Sequence, residues 1–195
     1  HNRFPGTMHH VFLITFSALT FAKCYNSQGF FKKILYRHRI KSIIKLLNQY
    51  QKFSSINYSC HYYLISAELA RIENNSMLAM SLYGKAFKSA KSLNNSILIA
   101  IIHERLIEMY LECEDDISAT KHFEEAYHLH KLWGAHAKCK KLILTWPDLY
   151  NKSSINEELV EKSTVHFQAA HQSTSVDLQK LDLLAILKST QAIAS

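Results

Sequence analysis

Glycine and proline are scarce in this chain, with four and two among 195 residues. Few positions can therefore take a left-handed backbone and few breakers interrupt its periodic runs. That excludes turn-rich β architectures and predicts an all-α protein. Cysteine offers no framework either. Cys24, Cys60, Cys113 and Cys139 form no C-x-x-C and are irregularly spaced, so they read as reduced core thiols of a cytoplasmic protein. No long apolar run is present. Val11 to Ala22 is only twelve residues, short of the roughly twenty needed to cross a bilayer, so no membrane span is expected. Lys23 before Cys24 and the lack of a small-x-small cleavage site speak against a lipoprotein or signal peptide. A chain opening on His1 rather than Met reads as a piece of a longer protein.

The signatures of catalysis are missing as well. Gly84-Lys85 lacks the earlier glycine and the following Ser/Thr of a phosphate-binding loop, and no H-R-D, D-F-G or G-x-S-x-G occurs. His103-Glu104 begins like H-E-x-x-H, but Ile107 stands where the second histidine belongs. His136 and Cys139 share a helix face at i, i+3 with His130 near, yet no fourth ligand joins them. His122, His128 and His130 read as surface or partly buried helix residues. No catalytic, cofactor-binding or metal-binding residue is expected, and no cofactor.

What the chain does have is apolar content of 48%, charged content of 20% and a net charge of +7. Disorder is excluded on that composition. The charge permits nucleic-acid or acidic-lipid binding, but the basic residues read as spread out. The densest run, Lys32 to Lys45, reads as the solvated face of an amphipathic helix, so no nucleic-acid partner is expected.

In chain order, residues 8–25 predict a helix apolar nearly all round, which should sit between neighbours. Asn26 to Gly29 is a turn, and 30–52 repeat apolar residues at three and four, an amphipathic helix. Ser54 to Asn57 is the next break. From there the chain repeats itself. Ala79, Tyr83 and Ala86 stand in the order Ala-x-x-x-aromatic-x-x-Ala, and Ala119, Phe123 and Ala126 repeat it forty residues on. This is the second-helix signature of a TPR, in which small residues let two helices approach and the aromatic fills the gap between pairs. First helices precede each, near 59–73 and 97–113. Asn75 or Ser76, Asn95 or Ser96, and Asp116 are the expected N-caps. Trp133-Gly134 makes an elbow, with Gly134 in the left-handed conformation and the Trp133 ring buried. Residues 135–144 form one more helix, which Trp146-Pro147 ends. The domain reading is a TPR-like helical repeat at 8–150, a polar linker at 151–177, and a separate, mostly apolar helix at 178–195.

Three carboxylates on first helices, Glu68, Glu104 and Glu108, stand out, with Arg71 and Arg105 beside them. Two readings remain open. They are inter-helix ion pairs on a charged face, or they line a concave acidic groove that receives a basic peptide or helix.

The run from Tyr127 to Tyr150 carries a resemblance. Trp133, Gly134, Ala135, Ala137, Lys138 and Pro147 resemble the TPR-like helical region of large bacterial hybrid signalling kinases. So do Ala67-Glu68 with Ala70-Arg71, Leu82-Tyr83 with Ala86 and Ala90, Glu104, Tyr110, and Leu181-Asp182-Leu183 with Leu187-Lys188 and Gln191-Ala192. Such proteins join a Ser/Thr-kinase-like domain, an AAA ATPase, this helical region, a GAF domain and a histidine kinase. The resemblance implies a non-catalytic scaffold that contacts the neighbouring ATPase and GAF-like domains, with 178–194 leading into the latter and promoting self-association when exposed. A free-standing TPR-type adaptor that binds a peptide is the alternative.

Overall fold

A computed structural model describes residues 8–155. They form α1 (Met8–Cys24), α2 (Phe30–Phe53), α3 (Ser55–Ile72), α4 (Ser76–Ser92), α5 (Ser96–Glu112), α6 (Asp116–Leu132), α7 (His136–Thr145) and α8 (Pro147–Lys152). No strand occurs among the described residues.

One turn, used four times, sets the architecture. Asn74, Asn94, Glu114 and Gly134 have φ of 59°, 49°, 60° and 75°, one every twenty residues. After each, the N–H of Asn75, Asn95, Asp115 or Ala135 reaches back to the carbonyl of Ala70, Ala90, Tyr110 or His130, at 2.9, 3.1, 2.9 and 2.8 Å. This closes the preceding helix in a Schellman-type cap. Three of the same residues then open the next helix. The side chains of Asn75, Asn95 and Asp115 accept from the N–H of Leu78, Leu98 and Ser118 at 3.1, 3.0 and 3.0 Å. The cap of α6 is thus Asp115 and not Asp116, because register with Asn75 and Asn95 puts the cap directly after the left-handed residue. Ala135 has no side-chain acceptor, so α7 starts uncapped.

Such tight turns force consecutive helices into antiparallel pairs. α3 with α4 and α5 with α6 pack most extensively, and each helix from α1 to α7 packs on the next. α1 also packs on α3 and α3 on α5. Among the described residues, no comparable packing joins α2 to α4 or α4 to α6, so the odd-numbered helices form the inner row of a helix-pair solenoid. Ala79, Tyr83, Ala86, Ala119, Phe123 and Ala126 are all wholly buried. His103 stands twenty residues after Tyr83 and twenty before Phe123, in the same register, and is buried too.

Several expectations fail in instructive ways. The Trp133 ring is 56% exposed. It caps α6 in the register that Glu73 and Cys113 occupy in earlier repeats, and that register faces outward. The elbow is held by its backbone bonds instead. Cys113 is exposed for the same reason and Cys24 is half-buried, so only Cys60 and Cys139 are core thiols. α1 is not enclosed. Val11, Thr15, Ala18, Leu19 and Ala22 face the core, while Leu13 and Phe16 are exposed. Trp146 ends α7 as expected, and Pro147 opens α8, where its missing N–H costs nothing. The break after α2 is Ser54 alone.

The chain divides into compact units after Leu149. Among the described residues past that point, α8 runs to Lys152, and Ser153 and Ile155 are buried. The rest of 151–177, and the helix expected at 178–195, lie outside the described residues.

Candidate functional site

Glu68 is completely buried on α3. Arg105 on α5 grips it with two bonds, Nε to Oε1 at 2.7 Å and Nη2 to Oε2 at 3.0 Å. Arg71, one turn along α3, donates to Oε2 at 3.0 Å, and the Tyr83 hydroxyl of α4 donates to Oε1. Burial alone would push this carboxyl up, but Arg105, Arg71 and the donated hydrogen bonds outweigh it and hold the pKa at about 2. Burial and the Glu68 charge together push the Tyr83 phenol well up, so it stays a donor. The cluster extends outward. Arg105 also binds Glu108 at 2.8 Å, Arg71 binds Glu112, and Lys23 on α1 reaches Glu108 at 3.4 Å. Four helices are thereby keyed together by charge.

A second cluster joins α5, α6 and α7. Glu104 accepts from His130 at 2.7 Å and from Lys138 at 3.0 and 3.1 Å. Burial raises this carboxyl, and its two partners more than offset the effect, leaving it below the ordinary range.

Above these clusters, α1, α5 and α7 enclose a groove of about 330 Å³. Phe16, Leu19, Ile101, Leu142 and Trp146 supply apolar wall. Lys23, Arg105, Lys138 and Lys141 supply cations, against the single carboxylate of Glu104. Counting the clusters beneath, Glu68, Glu104, Glu108 and Glu112 face Arg71, Arg105, Lys23, Lys138 and Lys141. Every carboxylate is compensated by a cation, and Lys141 forms no ion pair among the described residues. The surplus charge is positive. The acidic-groove reading of Glu68, Glu104 and Glu108 therefore fails: Glu68 is sealed beneath Arg105, and the other two are already paired.

Elsewhere, buried histidines sit between helices. His61 is wholly buried, with Nδ1 3.0 Å from the Thr15 hydroxyl and Nε2 without a partner. Burial drives its pKa down to about 4. His103 and His122 meet through their Nδ1 atoms at 2.8 Å between α5 and α6, with Phe87 against His103 and Tyr110 stacked on His122. Burial, then the neighbouring imidazole, lowers His103 to about 4. His130 is turned toward Glu104 and His136 is exposed, while the Cys139 thiol faces the Tyr127 carbonyl at 3.7 Å, so these three do not converge. Among the described residues no group of three or more His, Cys, Asp or Glu is placed to hold a metal ion.

No family model, curated protein or solved structure matches the chain. None of these comparisons bears on the kinase-family resemblance, which rests on Trp133-Gly134-Ala135 and the other residues named with it alone.

Arg71 and Arg105 are the partners of Glu68 expected from the sequence, and Tyr83 is a further one. As the aromatic of the repeat signature Tyr83 is expected only to fill the gap between pairs, whereas the fifteen-residue helix-to-helix offset brings its hydroxyl to that carboxylate. The twenty-residue turn period was the available signal. It places Glu68 and Glu108 two helices apart on one row, with Arg105 between them.

Proposed function

We propose that the helical repeat is a non-catalytic scaffold that holds a protein segment in the groove between α1, α5 and α7. The observation that carries this reading is the groove's composition: an apolar wall rimmed by cations, with every carboxylate in and beneath it already paired. Such a surface offers neither a nucleophile beside a base nor a phosphate-cradling loop. It offers a place for one or two apolar side chains and a carboxylate, at the small end of ligand-sized cavities. The partner is therefore an acidic amphipathic segment, opposite in charge to the basic one that the acidic-groove reading of the carboxylates implied.

In the reading supported by the family resemblance, the segment belongs to a neighbouring ATPase or GAF-like domain of a multidomain signalling kinase, and the scaffold couples the two. The reading frame on either side tests this: a phosphate-binding loop upstream and GAF-like sequence downstream support it, and their absence leaves a free-standing adaptor. The groove itself is tested by titrating labelled acidic amphipathic peptides onto the chain. Saturable binding that Lys138→Glu with Lys141→Glu removes supports the proposal. Equal binding of a lysine-substituted peptide refutes it.

A further inference from the structure

The charge of this chain is segregated. From His1 to Ala67 there is no Asp or Glu, while the same stretch holds nine Lys and Arg. The remainder carries fourteen Lys and Arg against all sixteen acids, so the positive excess belongs to the N-terminal third. Seven of the nine cations lie on α2.

A solvated basic face would carry few large apolar groups, but here they are prominent. Phe30, Phe31, Ile34 and Leu35 are 73%, 85%, 53% and 49% exposed. At 3.6 residues per turn these four occupy one arc in the first two turns of α2, opposite the arc that buries Ile40 and Leu47. The helix thus has two opposite apolar arcs: one reaches the core further along, at Ile40 and Leu47, and the other, at its N-terminal end, has no cover among the described residues. Lys32 and Arg39 flank the outer arc on one edge. Arg37 and Lys41 flank it on the other, and there Glu73 holds both, at 2.6 and 3.2 Å. Lys33 sits over the Tyr25 ring. Among the described residues no carboxylate engages Lys32, Arg39 or Lys45. Beside Leu35, an apolar groove of about 470 Å³ runs between Phe21 of α1 and Ile43 of α2.

We propose that the N-terminal two turns of α2 dock the chain on the surface of an anionic lipid bilayer, with Phe30, Phe31, Ile34 and Leu35 inserted at the interface and Lys32, Arg39 and Lys45 among the head groups. An exposed apolar arc edged by cations is how a helix lies in a membrane surface without crossing it. No described helix is long and apolar enough to cross. A nucleic acid matches the charge but not the aliphatic side chains of Ile34 and Leu35, which can neither stack on bases nor pair with phosphate.

The test is flotation of the full chain with phosphatidylcholine vesicles, with and without phosphatidylserine. Binding is expected only with phosphatidylserine. Replacing Lys32, Arg39 and Lys45 by Gln should weaken it about a hundredfold, from about fivefold per cation near an anionic surface. Phe31→Ser with Ile34→Ser should abolish it. Phe31→Trp should gain blue-shifted emission on these vesicles. All of these positions are exposed, and unchanged helicity by circular dichroism checks that the variants fold. Equal partition onto neutral vesicles, or tighter binding to single-stranded RNA that displaces the vesicles, would overturn the proposal. So would a dimer in vesicle-free sedimentation that Phe31→Ser dissolves, since the apolar arc would then be covered by a second copy.

Discussion

Replacing Glu68 by Gln keeps the shape of the buried cluster and removes its charge. Glu68 is inaccessible to water, and the side chains of Arg71 and Arg105 are each only 7% exposed, so water cannot substitute for the lost carboxylate. The amide retains one acceptor oxygen, but its NH₂ faces guanidinium N–H groups where an oxygen used to accept. Breaking a buried ion pair on one side costs roughly 3–5 kcal/mol. Arg105 keeps Glu108 and Arg71 keeps Glu112, so the cost should fall near the lower end, about 3 kcal/mol. Urea unfolding followed by circular dichroism measures it, and the midpoint should fall without a change in slope. The sign with pH follows from the depressed pKa. The wild-type contribution is full above the ordinary value of 4.5 and is lost as pH falls toward about 2. The gap between variant and wild type should therefore close across that window. A companion variant, Glu68→Met with Arg105→Leu, removes both charges and should cost less than Glu68→Gln alone, because an uncompensated buried charge is worse than an apolar pair. A Glu68→Gln cost below about 1 kcal/mol, the scale of an exposed pair, would refute the claim that the cluster is sealed.

Three further outcomes follow from the same structure. Glu114 holds a left-handed φ of 60° without being glycine, so Glu114→Gly should stabilise by about 1 kcal/mol in thermal unfolding, whereas Gly134→Ala should destabilise by a similar amount. Ala86→Leu and Ala126→Leu, at wholly buried positions between paired helices, should each cost roughly 1–3 kcal/mol by overpacking, and near-neutral urea midpoints would show the helix pairs to be more loosely joined. His61 is held near 4 by burial, below its ordinary 6.5, so its contribution is intact above pH 6.5 and falls away toward pH 4, a loss of roughly 3 kcal/mol that His61→Phe should flatten in urea midpoints taken across that range.

The repeat was legible because its signals are local. Small and aromatic residues at fixed offsets, Asn at helix starts and a single glycine after Trp133 each act within a turn or two of chain. Burial of the six repeat positions follows from that pattern. The direction in which Trp133 points was not legible, since a large ring at a helix end is consistent with either side, and only comparison with Glu73 and Cys113 in register shows that the side is outward. The polarity of the groove was not legible for a related reason. Carboxylates on one row were visible with Arg71 and Arg105 beside them, but the remaining cations come from other helices, Lys23 from α1 and Lys138 from α7. Net field in a groove is a tertiary quantity, so spacing within one helix could not supply it. Acids occur only from Glu68 onward, a segregation that the reading of the basic residues as spread out does not bring out. It gained meaning only once the exposed phenylalanines of α2 were placed beside it.

The central claim is that the groove over the neutralised carboxylates accepts an acidic amphipathic segment. Trp146 lines that groove and reports on it, provided that exposed Trp133 is replaced by Phe. The most direct measurement is Trp146 emission during titration with two peptides of equal apolar content, one carrying Glu and the other Lys at its polar positions. A saturable blue shift with the Glu peptide alone, suppressed by salt and lost in Lys138→Glu with Lys141→Glu, is the predicted result. A shift with the Lys peptide, or none with either, would contradict it.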